Sequence, residues 1–504
     1  MPVPHPLTII LLSPLTAALL IMLVPRANLL AVRMLAAIAS SITLVLSSWL
    51  CWVYLSTGMH GLQFADRVSW VEGPGISYFV AADGISLSLV LLTALVIFCG
   101  TFASWTVTNR TKEFYCLLLL LVTGVFGVFM TQDLFFFFLF YEIAVLPMYL
   151  LIGIWGTGRK EYSAMKLTLY LLFGSAFVLV GLLGMYFSAD LPAGAPHRTF
   201  DLTVLSQAGY EPHFQLWAFL LLYLGFGVLA GIWPLHTWSP DGHASAPTAV
   251  SMLHAGVLMK LGAYGVLRVG FGCLPEGAQA WVWLIGCIAV INIVYGAYVA
   301  MGQRDLKYVI AYSSVSHMGV VMLGLAAFND VGMNGSVLQM FSHGIMTGLF
   351  FALVGLVYEK THTRDIDQMG GLARRMPGIA LAFTIGGLAS FGLPGTSGFV
   401  AELLVFLGAF RAHTQSYTVG GVPLFLILAL LAITGIVITA TYVLRLLQQV
   451  FHGPMDEAKY GEVPDARTTE WVTLIVLGLM LIVVGVYPSP LTNLIGGSLG
   501  PILP

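Results

Sequence analysis

The sequence predicts an all-α polytopic membrane protein of about fourteen transmembrane helices, and three observations carry that prediction. Of its 504 residues, 58% are hydrophobic and only 9% are charged, against roughly 25% charged in a soluble domain. The apolar residues are gathered into runs long enough to cross a bilayer, for which about 20 helical residues suffice. The loops between those runs alternate between rich and poor in Lys and Arg, as the positive-inside rule requires of a multi-pass protein.

Taken in order, the predicted spans cover residues 7–24, 29–55, 79–105, 114–130, 133–155, 164–187 and 214–233. They continue with 247–270, 281–301, 308–327, 334–357, 377–411, 422–451 and 469–487. The first is flanked by prolines and lacks the small-residue cleavage site of a secretory leader. The longest connecting segments, 56–78 and 188–213, contain Gly or Pro and are expected to be exposed loops rather than soluble domains. The seventh span meets Gly231 and Pro234, and the twelfth meets Pro394 and Gly395. Proline removes a backbone donor and crowds the preceding turn, so each span is expected to break there. Broken helices at matching places mark inverted-repeat transporters, whose ion sites lie near the breaks. The expected division is therefore three leading helices (1–110), a first five-helix repeat of spans 4–8 (111–272), a second repeat of spans 9–13 (273–451), and an inner loop with a last helix (452–504).

Even parity places both termini on one face. If that face is external, the inner loops hold Arg26, Arg33, Arg110, Lys112, Arg159, Lys160, Arg304, Lys307, Lys360, Arg364, Arg374, Arg375, Arg445, Lys459 and Arg467. The outer loops hold only Arg67, Arg198, Arg268 and Arg411, which supports external termini in an inner (cytoplasmic) membrane. The net charge of −2 discriminates nothing. The five cysteines form no Cys-x-x-Cys pair, so no disulfide framework, iron–sulfur site or zinc site is expected. No phosphate-binding loop, dinucleotide fingerprint or nucleophile triad appears, and nothing points to nucleic acid. No cofactor is expected in this chain.

The informative residues are the ionisable ones inside spans, which are costly there unless paired or hydrated and so point to ion paths. Burial disfavours the charged form of acid and amine alike, which lets such groups exchange protons. Glu142 follows Asp133 by nine residues in DLFFFFLFYEIAVLP, roughly mid-bilayer at about 1.5 Å per residue; it reads as a protonatable site or as a neutral Glu bonded to a neighbouring helix. Lys260 sits half-way along the eighth span, after the polar turn PLHTWSPDGHASAPT, as a proton carrier or the structural partner of a carboxylate. His254, six residues earlier, faces away from Lys260 on an ideal helix and reads equally as relay or packing. His317 and His343 lie in the tenth and eleventh spans among Ser313, Ser314, Ser316 and Ser342. Histidine takes and releases protons with little driving force, so these two read as a relay along a hydrated chain, or as hydrogen-bonded core. Glu402 follows the Pro394–Gly395 break by about two turns. Lys166, nearer the inner end of the sixth span, is an interfacial anchor or a relay.

Six stretches together resemble one family: FFFFLFYEIAVLPMYLLIGIWG, PLHTWSPDGHASAPT with AGVLMKLGAYG, DLKYVIAYSSVSHMG, SHGIMTGLFF, YEKTHTRDIDQMGGL and GLPGTSGFVAELL. They are similar to the antiporter-like subunits of NADH–quinone oxidoreductase (respiratory complex I), most closely the chain M or chain 4 type, over spans 5 to 12. By that resemblance Glu142 is the acidic residue of the fifth helix, Lys260 the central lysine of the eighth, and Glu402 the terminal ionisable residue of the twelfth. His317 and His343 fall on the bridging helices. The implied path runs from the inner side to Lys260, through the histidines to Glu402, and out, with Glu142 gating it electrostatically. The resemblance also implies FMN, iron–sulfur clusters and quinone in partner subunits, and other antiporter-like chains (L and N) and small membrane chains as neighbours.

One position departs from the family. Its seventh helix keeps a lysine five residues before the proline of PLHxW, as ion-pair partner of the fifth-helix glutamate; here that position is Leu229, and Gly231 stands where a helix-breaking proline is usual. Either another cation substitutes, with Lys166 the best placed, or this unit couples differently. Three other readings stay open: a subunit of an Mrp-type cation/proton antiporter, a membrane-bound hydrogenase subunit, and a scaffold that has lost transport.

Overall fold

A computed structural model of the chain describes residues 3–192, 198–412, 417–419 and 421–503. The first helices are α1 (Pro6–Leu23), α2 (Leu29–Ser56), α3 (Gly84–Ala103), α4 (Thr111–Met130), α5 (Leu134–Trp155) and α6 (Lys160–Ser188). They are followed by α7 (Pro212–Ala230), the short α8 (Trp238–Ser245), α9 (Thr248–Phe271), α10 (Pro275–Gly302), α11 (Leu306–Ala326) and α12 (Asp330–Thr361). The chain then forms α13 (Pro377–Ser390), α14 (Ser397–Arg411), α15 (Leu424–His452) and α16 (Thr468–Val486).

Thirteen helices among the described residues are long and apolar enough to cross a membrane. The twelfth predicted span is missing from that number because its break leaves halves of 14 and 15 residues, α13 and α14. Counting the pair as one interrupted crossing restores the fourteen expected, and the chain is a helical multi-pass membrane protein.

Helix starts follow simple chemistry. Asp83, Asp133 and Asp305 sit just before α3, α5 and α11, and each accepts from a free backbone N–H of the first turn. Such caps satisfy donors that have no intrahelical partner. The centre of the fold is α9, buried along its whole crossing, with α11 and α12 buried over 94% of theirs; α2 and α15 are only 33% buried and turn their apolar faces outward.

Two sequence expectations are corrected. Residues 79–82 do not begin the third span but end strand β2 (Ile76–Ala82), which pairs antiparallel with β1 (Gln63–Val71), Arg67 opposite Phe79. The hairpin is not a free loop: Val80, Ala81 and Ala82 are buried, and the Ser77 amide donates to Asp133 Oδ2 at 2.8 Å. Arg67 reaches Asp201 at 2.8 Å and thereby ties the hairpin to the 188–213 segment. Arg268, expected in an outer loop, instead lies inside α9 and forms a buried ion pair with Asp83 at the start of α3.

Both expected breaks are present. α7 ends at Gly231, whose φ of 73° is left-handed, a conformation that glycine adopts without penalty. The freed backbone groups are then met by side chains: Asn292 of α10 accepts from the Trp233 amide at 2.6 Å and donates to Gly231 O at 3.2 Å. The Trp238 indole donates to Val228 O at 2.9 Å and closes the gap between α7 and α8. The second break spans Phe391–Thr396, with Gly392 and Gly395 at φ 69° and 94°. Irregular backbone at membrane depth persists only where protein groups cover it in this way.

Candidate functional site

α9 carries the centre of the site. Two π-helical turns, His254–Leu258 and Val266–Phe271, interrupt its regular winding; such turns recur at functional positions. α9 crosses α12 where Gly256 meets Gly344. A Cβ on Gly344 would stand 2.6 Å from Gly256 O, so no larger residue fits without parting the helices. That close crossing brings the Lys260 ammonium to 2.8 Å from His343 Nδ1. Lys260 is fully buried, and its Nζ also donates to Ala255 O. No carboxylate lies within ion-pair distance of it among the described residues, so histidine rather than an acid partners this lysine.

From His343 the polar groups continue without a gap in side-chain contact. The rings of His343 and His317 are 5.2 Å apart. On α11, His317 Nδ1 lies 3.6 Å from Glu402 Oε1 and 3.3 Å from the Gln339 amide nitrogen, while its Nε2 is 3.3 Å from Ser390 Oγ. Glu402 is buried on α14, and its other oxygen rests against Gly392 in the second break. Ser342 Oγ meets Ser397 Oγ at 2.6 Å, joining α12 to the first turn of α14. Of the four serines expected beside the histidines, Ser313, Ser314 and Ser316 donate to helix carbonyls, and Ser342 reaches the first turn of α14. Ser390 and Gln339, not anticipated from sequence, take their place beside His317.

On the other side of Lys260, His254 packs against His243 of α8 with ring centres 4.0 Å apart, and against the Trp238 ring at 5.2 Å. His254 does not hydrogen-bond to Lys260, although His243 lies within electrostatic reach of His254, Lys260 and Lys307. All four ring nitrogens of His243 and His254 are buried with no hydrogen-bond partner among the described residues. Each neutral imidazole has one N–H and one acceptor nitrogen, so the pair can take up a proton at either ring. His243 lies within the same polar stretch, and its place two residues after Asp241, in the segment that follows the break, is the signal in the sequence that could have marked it.

A cavity of about 200 Å³ is lined by Ala246, Pro247 and Thr248, which follow His243 at the junction of α8 and α9. Its polar lining includes Ser104, Thr157, Thr248, Lys307, Glu359 and Glu470. Lys307, expected in a loop, is buried and donates to Ala246 O at 2.7 Å, three residues from His243. Lys360, also expected in a loop, is buried against Glu470 at 3.1 Å.

The remaining two candidates stand apart from this line. Lys166 pairs with Asp241 of α8 at 2.7 Å, and Tyr308 donates to the other oxygen of that carboxylate at 3.0 Å. It is therefore not the ion-pair partner of Glu142. Glu142 has no ion pair among the described residues; its Oε1 is buried without a hydrogen-bond partner, and the Ser175 hydroxyl is its polar neighbour. Leu229 is fully buried on the last turn of α7. No three His, Cys, Asp or Glu side chains among the described residues converge as a metal site.

The site as built links six ionisable side chains, His243, His254, Lys260, His343, His317 and Glu402, between the two helix breaks. Similar proteins share the frame. Residues 131–444 match the family described as NADH:quinone oxidoreductase/Mrp antiporter, membrane-spanning region. The chain is 39% identical over 490 residues to the NAD(P)H-quinone oxidoreductase chain 4 of Gloeobacter violaceus, covering 97% of this chain and 90% of that one. Its fold superposes on a chain of respiratory complex I from Thermus thermophilus with a TM-score of 0.85, at 30% identity, over 97% of this chain and 98% of that one. A chain of the Mrp complex from Dietzia sp. shares the fold alone, at 20% identity and a TM-score of 0.83, over 99% and 97% of the two chains. Sequence match and fold agree: the chain belongs to the NADH:quinone oxidoreductase/Mrp antiporter family of membrane subunits.

Proposed function

We propose that this chain translocates protons as an antiporter-like membrane-arm subunit of a complex I-type NADH–quinone oxidoreductase, with electron transfer confined to partner subunits. The observation that carries the proposal is the Lys260–His343–His317–Glu402 line, in which neighbouring groups lie at 2.8 Å, at 5.2 Å between ring centres, and at 3.6 Å. A protonated Lys260 donates to the unprotonated Nδ1 of His343, leaving a neutral amine. A proton leaving His343 Nε2 is accepted by His317, and His317 in turn protonates the Glu402 carboxylate. Contacts of 3.3–3.6 Å close by a side-chain rotation or a bridging water. Proton uptake runs through the cavity beside Lys307 to the His243–His254 pair, and release follows Glu402 at the second break. The face bearing the basic loops is the inner one, both termini are external, and spans 4–8 and 9–13 form the two inverted repeats.

In this reading Glu142 senses a neighbouring subunit, and its lack of a lysine partner makes its coupling differ from that of relatives that keep one. Chain 4 relatives at 39–40% identity favour the redox-driven assembly over the Mrp antiporter, which is matched in fold alone. FMN, iron–sulfur clusters and quinone are assigned to the partners. Mild extraction of the tagged chain, followed by mass spectrometry, tests the assignment. Co-purification with iron–sulfur and quinone-site subunits is expected; recovery with small antiporter subunits alone would reassign the chain to secondary cation exchange.

A further inference from the structure

A second feature, on the far side of Trp155 from the cavity beside Lys307, has the build of a binding site. Where α1 ends and α4 begins, a cleft of about 440 Å³ opens beside the last turn of α5. Its rim holds Arg26, Arg110 and Lys112 against one carboxylate, Glu113, leaving a formal charge of about +2. The two guanidiniums share the single carboxylate of Glu113 as loose ion pairs. Arg26 lies 3.6 Å and Arg110 3.8 Å from the Glu113 carboxylate, both beyond hydrogen-bond distance. Lys112 is spent on the carbonyls that end α1, donating to Met22 O and to Val24 O at 2.8 Å.

Below this rim the walls turn apolar: Met22, Cys116, Leu117, Leu150 and Ile154 line the cleft. They lead onto an outward face that exposes Leu19, Leu20 and Leu146. Trp155 stands at the boundary, its indole donating to Asn109 O at 2.7 Å and its ring 5.8 Å beneath Arg110. Tryptophan favours the level of lipid headgroups. Cations above, an indole at the boundary and an aliphatic groove running down the helices match an anionic headgroup with its acyl chains, and basic pockets between membrane helices bind such lipids. An acidic protein segment would satisfy the rim but leave the groove unexplained.

We propose that this cleft binds an anionic phospholipid, its phosphodiester held by Arg26 and Arg110 and its chains lying along Leu117, Leu150 and Ile154.

The test uses the assembled complex in phosphatidylcholine nanodiscs containing a trace of photoactivatable phosphatidylglycerol, or the matching phosphatidylcholine analogue. Labelled peptides are mapped by mass spectrometry. The proposal expects labelling of peptides containing Leu117 or Leu150 to favour phosphatidylglycerol by about tenfold, consistent with the contribution of basic residues near a membrane surface. R26Q/R110N should abolish the preference while quinone reduction is retained; Asn suits the left-handed backbone at Arg110. Should the double variant fail to assemble, R26Q alone, at a highly exposed side chain, should still lower the preference. Equal labelling by both lipids, or a preference unchanged in the variants, overturns the proposal. So does an amine cross-link from Lys112 to a partner subunit with no lipid labelling, which would mean that protein occupies the cleft.

Discussion

Gly344→Ala tests whether the crossing of α9 and α12 sets the proton path. The added Cβ would lie 2.6 Å from Gly256 O, about 0.8 Å inside ordinary contact at 3.4 Å. The opposing atom is backbone, so the helices must part by most of that distance. The Lys260–His343 contact of 2.8 Å then lengthens to roughly 3.6 Å and ceases to be a hydrogen bond. Overpacking of this kind costs about 1–3 kcal/mol, which a large membrane protein survives. A misplacement near 1 Å can cost about 10²-fold in a positioned transfer, so proton transfer through this chain should fall by roughly 10- to 100-fold. The assay is quinone-driven acidification of proteoliposomes holding the assembled complex, read beside quinone reduction. Gly478→Ala is the control, because nothing lies within 4 Å of its added Cβ. Normal proton yield in Gly344→Ala with intact assembly would refute the claim that this crossing sets the path.

Further predictions follow from the charged pairs. For Lys166 and Asp241, single variants K166M and D241N should each lower thermal stability by about 1–3 kcal/mol, because each strands a partly buried partner; in the double variant the loss should be smaller than the two added together, and strict additivity would deny their coupling. Arg268→Gln should destabilise the complex by about 3–5 kcal/mol by leaving Asp83 buried without its cation, with partial rescue by D83N/R268Q; a melting temperature unchanged in R268Q would show that the pair contributes nothing. Leu229→Lys should be tolerated when Glu142 can pair with it and should block assembly in a Glu142→Gln background; equal assembly in both would separate the two positions.

Much of this architecture was legible because membrane burial leaves coarse marks. Runs of apolar residues located the crossings, and the glycine–proline pairs at 231–234 and 394–395 located both breaks, since each changes what the backbone can do. The ionisable residues inside spans stood out because each is expensive there. What sequence did not disclose was side-chain partnership. Lys166 stands within its span much as a substitute partner for Glu142 would, yet it pairs with Asp241, because the α8 segment after the break carries that carboxylate alongside α6. His254 appeared isolated from the other candidates, and its neighbour His243 enters only through the fold-back of α8 on α9. The stretch FVAA at 79–82 looked like the start of a helix because a short apolar run has no period that separates strand from helix. Arg268 looked like a loop cation because its ion-pair partner is 185 positions away in the chain.

The central claim is that Lys260 holds the transported proton. Its most direct test is Lys260→Ala in the whole complex, reconstituted in sealed vesicles, with proton uptake per quinone reduced measured beside assembly on native gels. The structure predicts a fully assembled complex whose proton yield falls by this chain's whole share. A complex that assembles and pumps with unchanged yield would contradict the account.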